Sequence, residues 1–176
     1  MFGQLLAEEG FPPGAVNVIP GGAEVGAALV RDDRVRVVAF GGSDRTGEAV
    51  ARAAGPKRLL LECGSASSVS IMPTGDLTKA LPACIRGGYS VAGQMCISIQ
   101  KVLVHRDLYD DFAAAFSKQV SLLRTGDPRK EQTDVGPVIS IAAAERLAEW
   151  IDEARAQGAT LLTGGTHERA LFAPTV

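Results

Sequence analysis

The sequence predicts an α/β fold built on parallel sheet. Three observations carry this reading. Apolar strand-like runs and helical runs alternate at close spacing through the first third of the chain, the pattern of parallel βαβ units. Glycine is frequent, at 20 of 176 residues, which suits tight turns and close helix–strand packing. Aromatic residues are scarce, at 5%, which argues against an aromatic-rich β-sandwich. The length fits one domain or parts of two. With 46% hydrophobic and 22% charged residues the chain can bury a core, so wholesale disorder is excluded.

The elements follow in order. Residues 2–9 read as a short helix stopped by Gly10, and Phe11-Pro12-Pro13-Gly14 as a turn. Residues 15–19 are apolar and predict a short strand closed by Pro20-Gly21-Gly22; residues 23–30 predict a helix. The β-branched run at 35–40 predicts a strand, Gly41-Gly42-Ser43 a turn, 44–54 a helix closed by Gly55-Pro56, and 58–61 a buried strand. A soft boundary falls near Gly64. Beyond it, 69–72 predicts a strand, 76–89 a helix kinked at Pro82, 93–98 a loop and 101–105 a strand. Apolar residues at 108, 112, 116, 120 and 123 form a helical stripe. Residues 141–156 predict a second long helix with Leu147, Trp150, Ile151 and Ala154 on one face, and 159–162 predicts a strand turned by Gly164-Gly165.

Composition limits the function classes. The net charge is −2, so no basic excess is present to hold a nucleic-acid backbone. No apolar run approaches a membrane span, and no basic segment followed by an apolar one opens the chain. Three cysteines without CxxC spacing and two histidines far apart argue against a metal cluster. A reducing, cytoplasmic compartment is expected, and the question becomes whether one thiol is chemical.

Three stretches could do chemistry. Val37 to Gly47 reads strand, glycine turn, helix, the design of a phosphate cradle: glycines admit close approach and the first helical turn offers free N–H groups. Such turns also join strands to helices without any ligand, and Asp44 would repel a phosphate. Leu59-Leu60-Leu61-Glu62-Cys63-Gly64 ends an apolar strand in a carboxylate, where open α/β sheets bind ligands. Glu62 is there either a base or a strand-end carboxylate facing water. Cys96, between Gly93-Gln94-Met95 and Ile97-Ser98, is either a nucleophile or a small buried hydrophobe. Cys84, within a helix, reads as buried, and Cys63 is ambiguous.

Taken together the motifs resemble the NAD(P)-dependent aldehyde dehydrogenase superfamily, in order and along the whole length. The segment from Gly10 to Gly21 is similar to the family's G-x-P-x-G-v-x-N-v-v-x-G stretch. Phe40-Gly41-Gly42-Ser43 with Gly47 is similar to its F-T-G-S-x-x-x-G cofactor loop, Leu61-Glu62-Cys63-Gly64 to its glutamate motif, and Gly93-Gln94-Met95-Cys96 to its cysteine motif. Gly126-Asp127-Pro128, Gly136-Pro137, Gly158-Ala159 and Pro174-Thr175-Val176 match later landmarks, and the glutamate-to-cysteine spacing of 34 agrees.

The resemblance implies an aldehyde-dehydrogenase-like fold: residues 1–63 would be the C-terminal part of a Rossmann-like NAD(P)-binding domain, and 64–176 the N-terminal part of the thiol-bearing catalytic domain. Cys96 would attack a small-molecule aldehyde, hydride would pass to NAD or NADP, and Glu62 would activate the water that releases a carboxylic acid. The Cys96 backbone N–H would help hold the oxyanion. Ser43 would contact the cofactor pyrophosphate, Gly42 would allow its close approach, Gly47 would belong to the same cofactor site, and Leu61, Glu62 and Cys63 would lie near the nicotinamide. Cys84 and both histidines would be structural. No metal, nucleic-acid or membrane partner is implied.

The chain departs from the family at Gly41 (usually Thr), Cys63 (usually Leu) and Ser65 (usually Gly). These departures keep an inactive paralogue, serving as a binding or scaffold module, as the alternative. Ser65-Ala66-Ser67 and residues 96–101 look closer to the branch acting on small phosphorylated, sulfonated or hydroxylated aldehydes. The family extends past both ends. The asparagine of the oxyanion hole, the first Rossmann strands and the adenosine-ribose lysine would precede residue 1. The nicotinamide-ribose glutamate motif and the oligomerisation strands would follow Val176. Little or no turnover by the isolated chain, exposed apolar surface and a homo-oligomeric or self-associating state are therefore expected.

Overall fold

The computed structural model describes residues 2–176, which form two compact units dividing between Cys63 and Gly64. The first holds helix α1 (Phe2–Glu8), helix α2 (Ala23–Arg31), strand β1 (Val37–Gly42), helix α3 (Asp44–Ala54) and strand β2 (Arg58–Cys63). β1 and β2 pair in parallel, with Val37 opposite Arg58 and Gly42 opposite Cys63, so β1–α3–β2 is a parallel βαβ unit as expected. The start of α3 is chemically specified. Ser43 caps it, its Oγ accepting the Thr46 N–H at 3.3 Å, and Asp44 complements the helix dipole. Gly55, at φ 62, ends it in a conformation that favours glycine. Gly47 is buried; a Cβ there would lie 2.7 Å from Cys63 Sγ, so the missing side chain lets α3 pack over the end of β2.

Residues 15–19 form no strand. The run is apolar enough, but none of the described segments pairs with it, and Val18 is 68% exposed. A strand needs a hydrogen-bonding neighbour as well as the right residues.

The second unit holds strand β3 (Ser68–Ile71), helix α4 (Leu77–Tyr89), strand β4 (Lys101–Val104), helix α5 (Tyr109–Ser121), helix α6 (Ile141–Ala156) and the short strands β5 (His167–Glu168) and β6 (Leu171–Phe172). β3 and β4 pair in parallel with Ser68 opposite Lys101. Asp76 caps α4, accepting the Thr78 N–H at 3.0 Å, and the helix runs on through Pro82, which is exposed. The apolar stripe of α5 does what its spacing predicts: Phe112, Phe116 and Val120 are buried against Ile71, Leu81 and Cys84, with Leu108 and Leu123 at the margin. The rings of Phe112 and Phe116 stack with centroids 5.3 Å apart.

α6 spans Ile141–Ala156 as expected and half-buries Leu147 and Ile151, but its fully buried residues are Ala143 and Ala144, while Ala154 is exposed and Trp150 lies exposed beneath the Arg146 guanidinium, 5.5 Å from its ring. The small residues win the inward face because they let the helix approach closely, and a bulky indole is tolerated outside under a cation. Residues 159–162 form no strand either: Leu162 donates to the Val176 carbonyl at 2.8 Å and Val176 donates back to Thr163 at 3.1 Å, with no ladder beyond. The antiparallel β5–β6 hairpin has too little apolar alternation to be read from sequence.

Tyr89 ties α4 to the last residues of the chain, its hydroxyl donating to the Thr175 carbonyl at 2.7 Å. Burial pushes the Tyr89 phenol up to about 12. The folded state thus favours the neutral phenol. Its contribution is fully present below the ordinary value of about 10 and is lost as pH rises from there towards 12. Urea midpoints are expected to fall above pH 10. Tyr89→Phe should flatten that fall and lower the stability at pH 8 by about 1 kcal/mol for the lost bond. An unchanged alkaline slope in Tyr89→Phe would count against this assignment.

Apolar surface is exposed in both units, as expected: Leu60 on β2 is 58% accessible and Leu103 on β4 is 55%. Among the described residues no helix is long and apolar enough to cross a membrane, and no three metal-ligating side chains cluster.

Candidate active site

Each unit carries candidate chemistry of its own. In the first, register decides what the C-terminal end of the sheet presents. Gly41 lies opposite Glu62 and Gly42 opposite Cys63; the two glycines expected in a turn instead end β1 and share one sheet end with the carboxylate. Glu62 and Ser43 are exposed, Leu61 is 37% accessible and Cys63 is half-buried. Ser43 takes the Thr46 amide through its Oγ and the Gly47 amide through its carbonyl, at 2.8 Å. The amides of Asp44 and Arg45 lie in the first turn, where a helix cannot satisfy them internally. A Cβ at Gly41 would meet the Glu62 carbonyl at 3.8 Å, an ordinary van der Waals contact.

In the second unit the three thiols are sorted by burial. Cys84 is 2% exposed in the core of α4, and burial pushes its thiol up. Cys96 is exposed. The buried-hydrophobe reading therefore holds for Cys84 and fails for Cys96, which sits in a tight turn closed by the Ser98 N–H donating to the Met95 carbonyl at 3.0 Å.

Three successive left-handed residues lead into that turn, Val91 (φ 53), Ala92 (φ 54) and Gly93 (φ 72). For a β-branched residue such as Val91 this is a strained conformation, and strain of this kind collects at functional sites. Gln94 stabilises it twice, its backbone N–H and its Nε2 both donating to the Val91 carbonyl at 3.1 Å. The Gln94 Oε1 also accepts the Ile139 N–H at 2.7 Å, tying the turn to the segment before α6. On the other side the Ser65 hydroxyl donates to the Cys96 carbonyl at 2.9 Å. Ser98 Oγ is buried with no protein partner.

A family model described as the aldehyde dehydrogenase family matches residues 1–176. The chain belongs to the aldehyde dehydrogenase family. The 3-sulfolactaldehyde dehydrogenase of Priestia megaterium is 37% identical over 98% of this chain and 36% of its own length. Among solved structures, the glyceraldehyde-3-phosphate dehydrogenase of Methanocaldococcus jannaschii complexed with NADP superposes with a TM-score of 0.92 at 36% identity. It covers 98% of this chain and 38% of its own. The betaine aldehyde dehydrogenase of Staphylococcus aureus in complex with NAD+ gives 0.93 at 30% identity, over 98% of this chain and 36% of its own. The chain spans about a third of the length of the curated relatives it matches.

In this chain of the aldehyde dehydrogenase family, the sequence motifs pick out residues at three places: the α3 N-terminus, the end of β2 and the Cys96 turn. The motifs do not find the supports of that turn. No sequence signal marks a left-handed Val91, since valine is among the last residues expected there. Ser65 stands out only as a departure from the usual glycine, and Gln94 only as a motif letter.

Proposed function

We propose that the chain carries the nucleophilic thiol and part of the cofactor site of an NAD- or NADP-dependent aldehyde dehydrogenase. The observation that supports this most is the exposed thiol of Cys96 on a turn braced from both sides, at the family's cysteine position. In this reading the Cys96 thiolate bonds to the aldehyde carbon, and the resulting alkoxide accepts a hydrogen bond from the Cys96 backbone N–H. When bound, the nicotinamide supplies the acceptor for the hydride that leaves that carbon. Glu62 takes a proton from water, the hydroxide adds to the thioester, and the C–S bond breaks to give the carboxylic acid and the thiolate.

The residues present fit a dinucleotide. The first-turn amides of Asp44 and Arg45, with Gly42 and Ser43, would hold the pyrophosphate, and Gly41 places no side chain in its way. Gly47 keeps α3 close to β2, and Leu61 to Cys63 would border the nicotinamide. The relatives named for sulfolactaldehyde and glyceraldehyde 3-phosphate support a small phosphorylated, sulfonated or hydroxylated aldehyde as substrate. A cytoplasmic location and a homo-oligomeric or self-associating state complete the proposal. Relatives named for active dehydrogenases do not favour the inactive-module alternative.

The test needs no cofactor. p-Nitrophenyl acetate is expected to give a burst of one p-nitrophenolate per chain with the acetyl group on Cys96, and Cys96→Ser should remove the burst. Acetylation spread evenly over Cys63 and Cys96, or a burst that survives in Cys96→Ser, would overturn the reading.

A further inference from the structure

We propose that Ser65 is a positioning residue for the reactive thiol; this rests on the reading of Cys96 as the nucleophile. The Ser65 hydroxyl donates to the Cys96 main-chain carbonyl at 2.9 Å, across 31 residues of sequence. A hydroxyl has one proton. The 2.6 Å contact between Ser65 Oγ and Ser67 Oγ therefore runs the other way, with Ser67 donating to Ser65. Ser67 is itself anchored, its carbonyl accepting the N–H groups of Gln100 at 2.8 Å and Lys101 at 3.2 Å where β4 begins. A relay thus runs from the β3–β4 sheet through Ser67 and Ser65 to the backbone of Cys96.

Holding that carbonyl fixes the ψ angle of Cys96, and with it the direction in which the thiol leaves the turn. Gln94 grips the other flank through the Ile139 N–H at 2.7 Å. Between the two anchors stand only Met95 and Cys96. Hydrogen bonds in series polarise one another, so loss of the Ser67 link weakens the Ser65 link as well. A glycine at position 65 could supply no such bond. The departure from the family pattern therefore gives this chain a side-chain brace on its thiol turn.

The experiment is site-resolved alkylation of the intact chain by iodoacetamide at neutral pH, with Cys63 as the internal control and wild type compared with Ser65→Ala, Ser65→Thr and Ser67→Ala. Ser65→Ala is expected to slow Cys96 by about fivefold, the population change that one ordinary hydrogen bond carries, with Cys63 unchanged. Ser65→Thr keeps the hydroxyl and should stay within about twofold of wild type, and Ser67→Ala should give a smaller fall in the same direction. An unchanged Cys96 rate in Ser65→Ala, a parallel fall at Cys63, or failure of Ser65→Thr to retain the rate overturns the positioning role. Should Ser65→Ala not fold, Ser67→Ala carries the test, and an unchanged Cys96 rate there overturns the relay. A wild-type Cys96 no faster than Cys63 overturns the nucleophile reading and the proposal with it, whereas a fast Cys96 indifferent to Ser65 overturns the proposal alone.

Discussion

Iodoacetamide at neutral pH is expected to alkylate Cys96 about a hundredfold or more faster than Cys84. Two physical terms act in the same direction. Cys96 is exposed, so reagent reaches it in the folded state, whereas Cys84 at 2% exposure requires α4 to open before it can react. The free energy of that opening sets the penalty, and a hundredfold corresponds to about 2.7 kcal/mol, modest for a helix inside a core. In the closed state burial also pushes the Cys84 thiol up, which keeps it protonated while the core is intact. Quenched time points mapped by peptide mass spectrometry separate the thiols. If Cys84 reacts within tenfold of Cys96, the core around α4 is not closed and the assignment of a buried, inert thiol is wrong.

Phe112→Ala is expected to destabilise the second unit by about 3–5 kcal/mol. Phe112 is 3% exposed, stacks on Phe116, and packs in a cluster with Ile71, Leu81, Cys84 and Val120. Truncation removes the buried ring and leaves a cavity that the surrounding helices can close only in part. Against a typical domain stability of about 5–15 kcal/mol the loss is a large share. In urea, with slopes of about 1–3 kcal/mol per molar, the midpoint should fall by roughly 2 M. Trp150→Ala is the matched control. It removes a larger side chain, but an exposed one held by the Arg146 cation, and its cost should stay near 0.5–1 kcal/mol at about the level of a surface cation–π contact. Equal losses in the two variants would mean that the core lies elsewhere.

That contrast shows how far the sequence could be read. The α5 stripe was legible because one face repeats in phase with the helical turn. The α6 stripe was not, because its apolar residues occupy two faces and only packing chose Ala143 and Ala144 over Trp150. The runs at 15–19 and 159–162 carry strand-forming residues, yet strands are made by partners, and neither run finds a ladder among the described residues. β1, α3 and β2 were readable because each boundary carries its own local chemistry: a β-branched run, a serine cap, a glycine stop.

The candidate site divides along the same line. By itself the sequence determined which residue types stand at the chemical positions, Glu62 after an apolar strand, Cys96 after Gly93-Gln94-Met95, Ser43 before a helix, because those signals are local and ordered along the chain. Only the tertiary structure decided which thiol reaches solvent, that Gly41 lies opposite Glu62, and that Ser65 and Gln94 brace the cysteine turn. These depend on contacts between residues distant in sequence, such as Ser65 with Cys96 and Gln94 with Ile139, and neither residue type nor spacing encodes a contact that folding alone brings about.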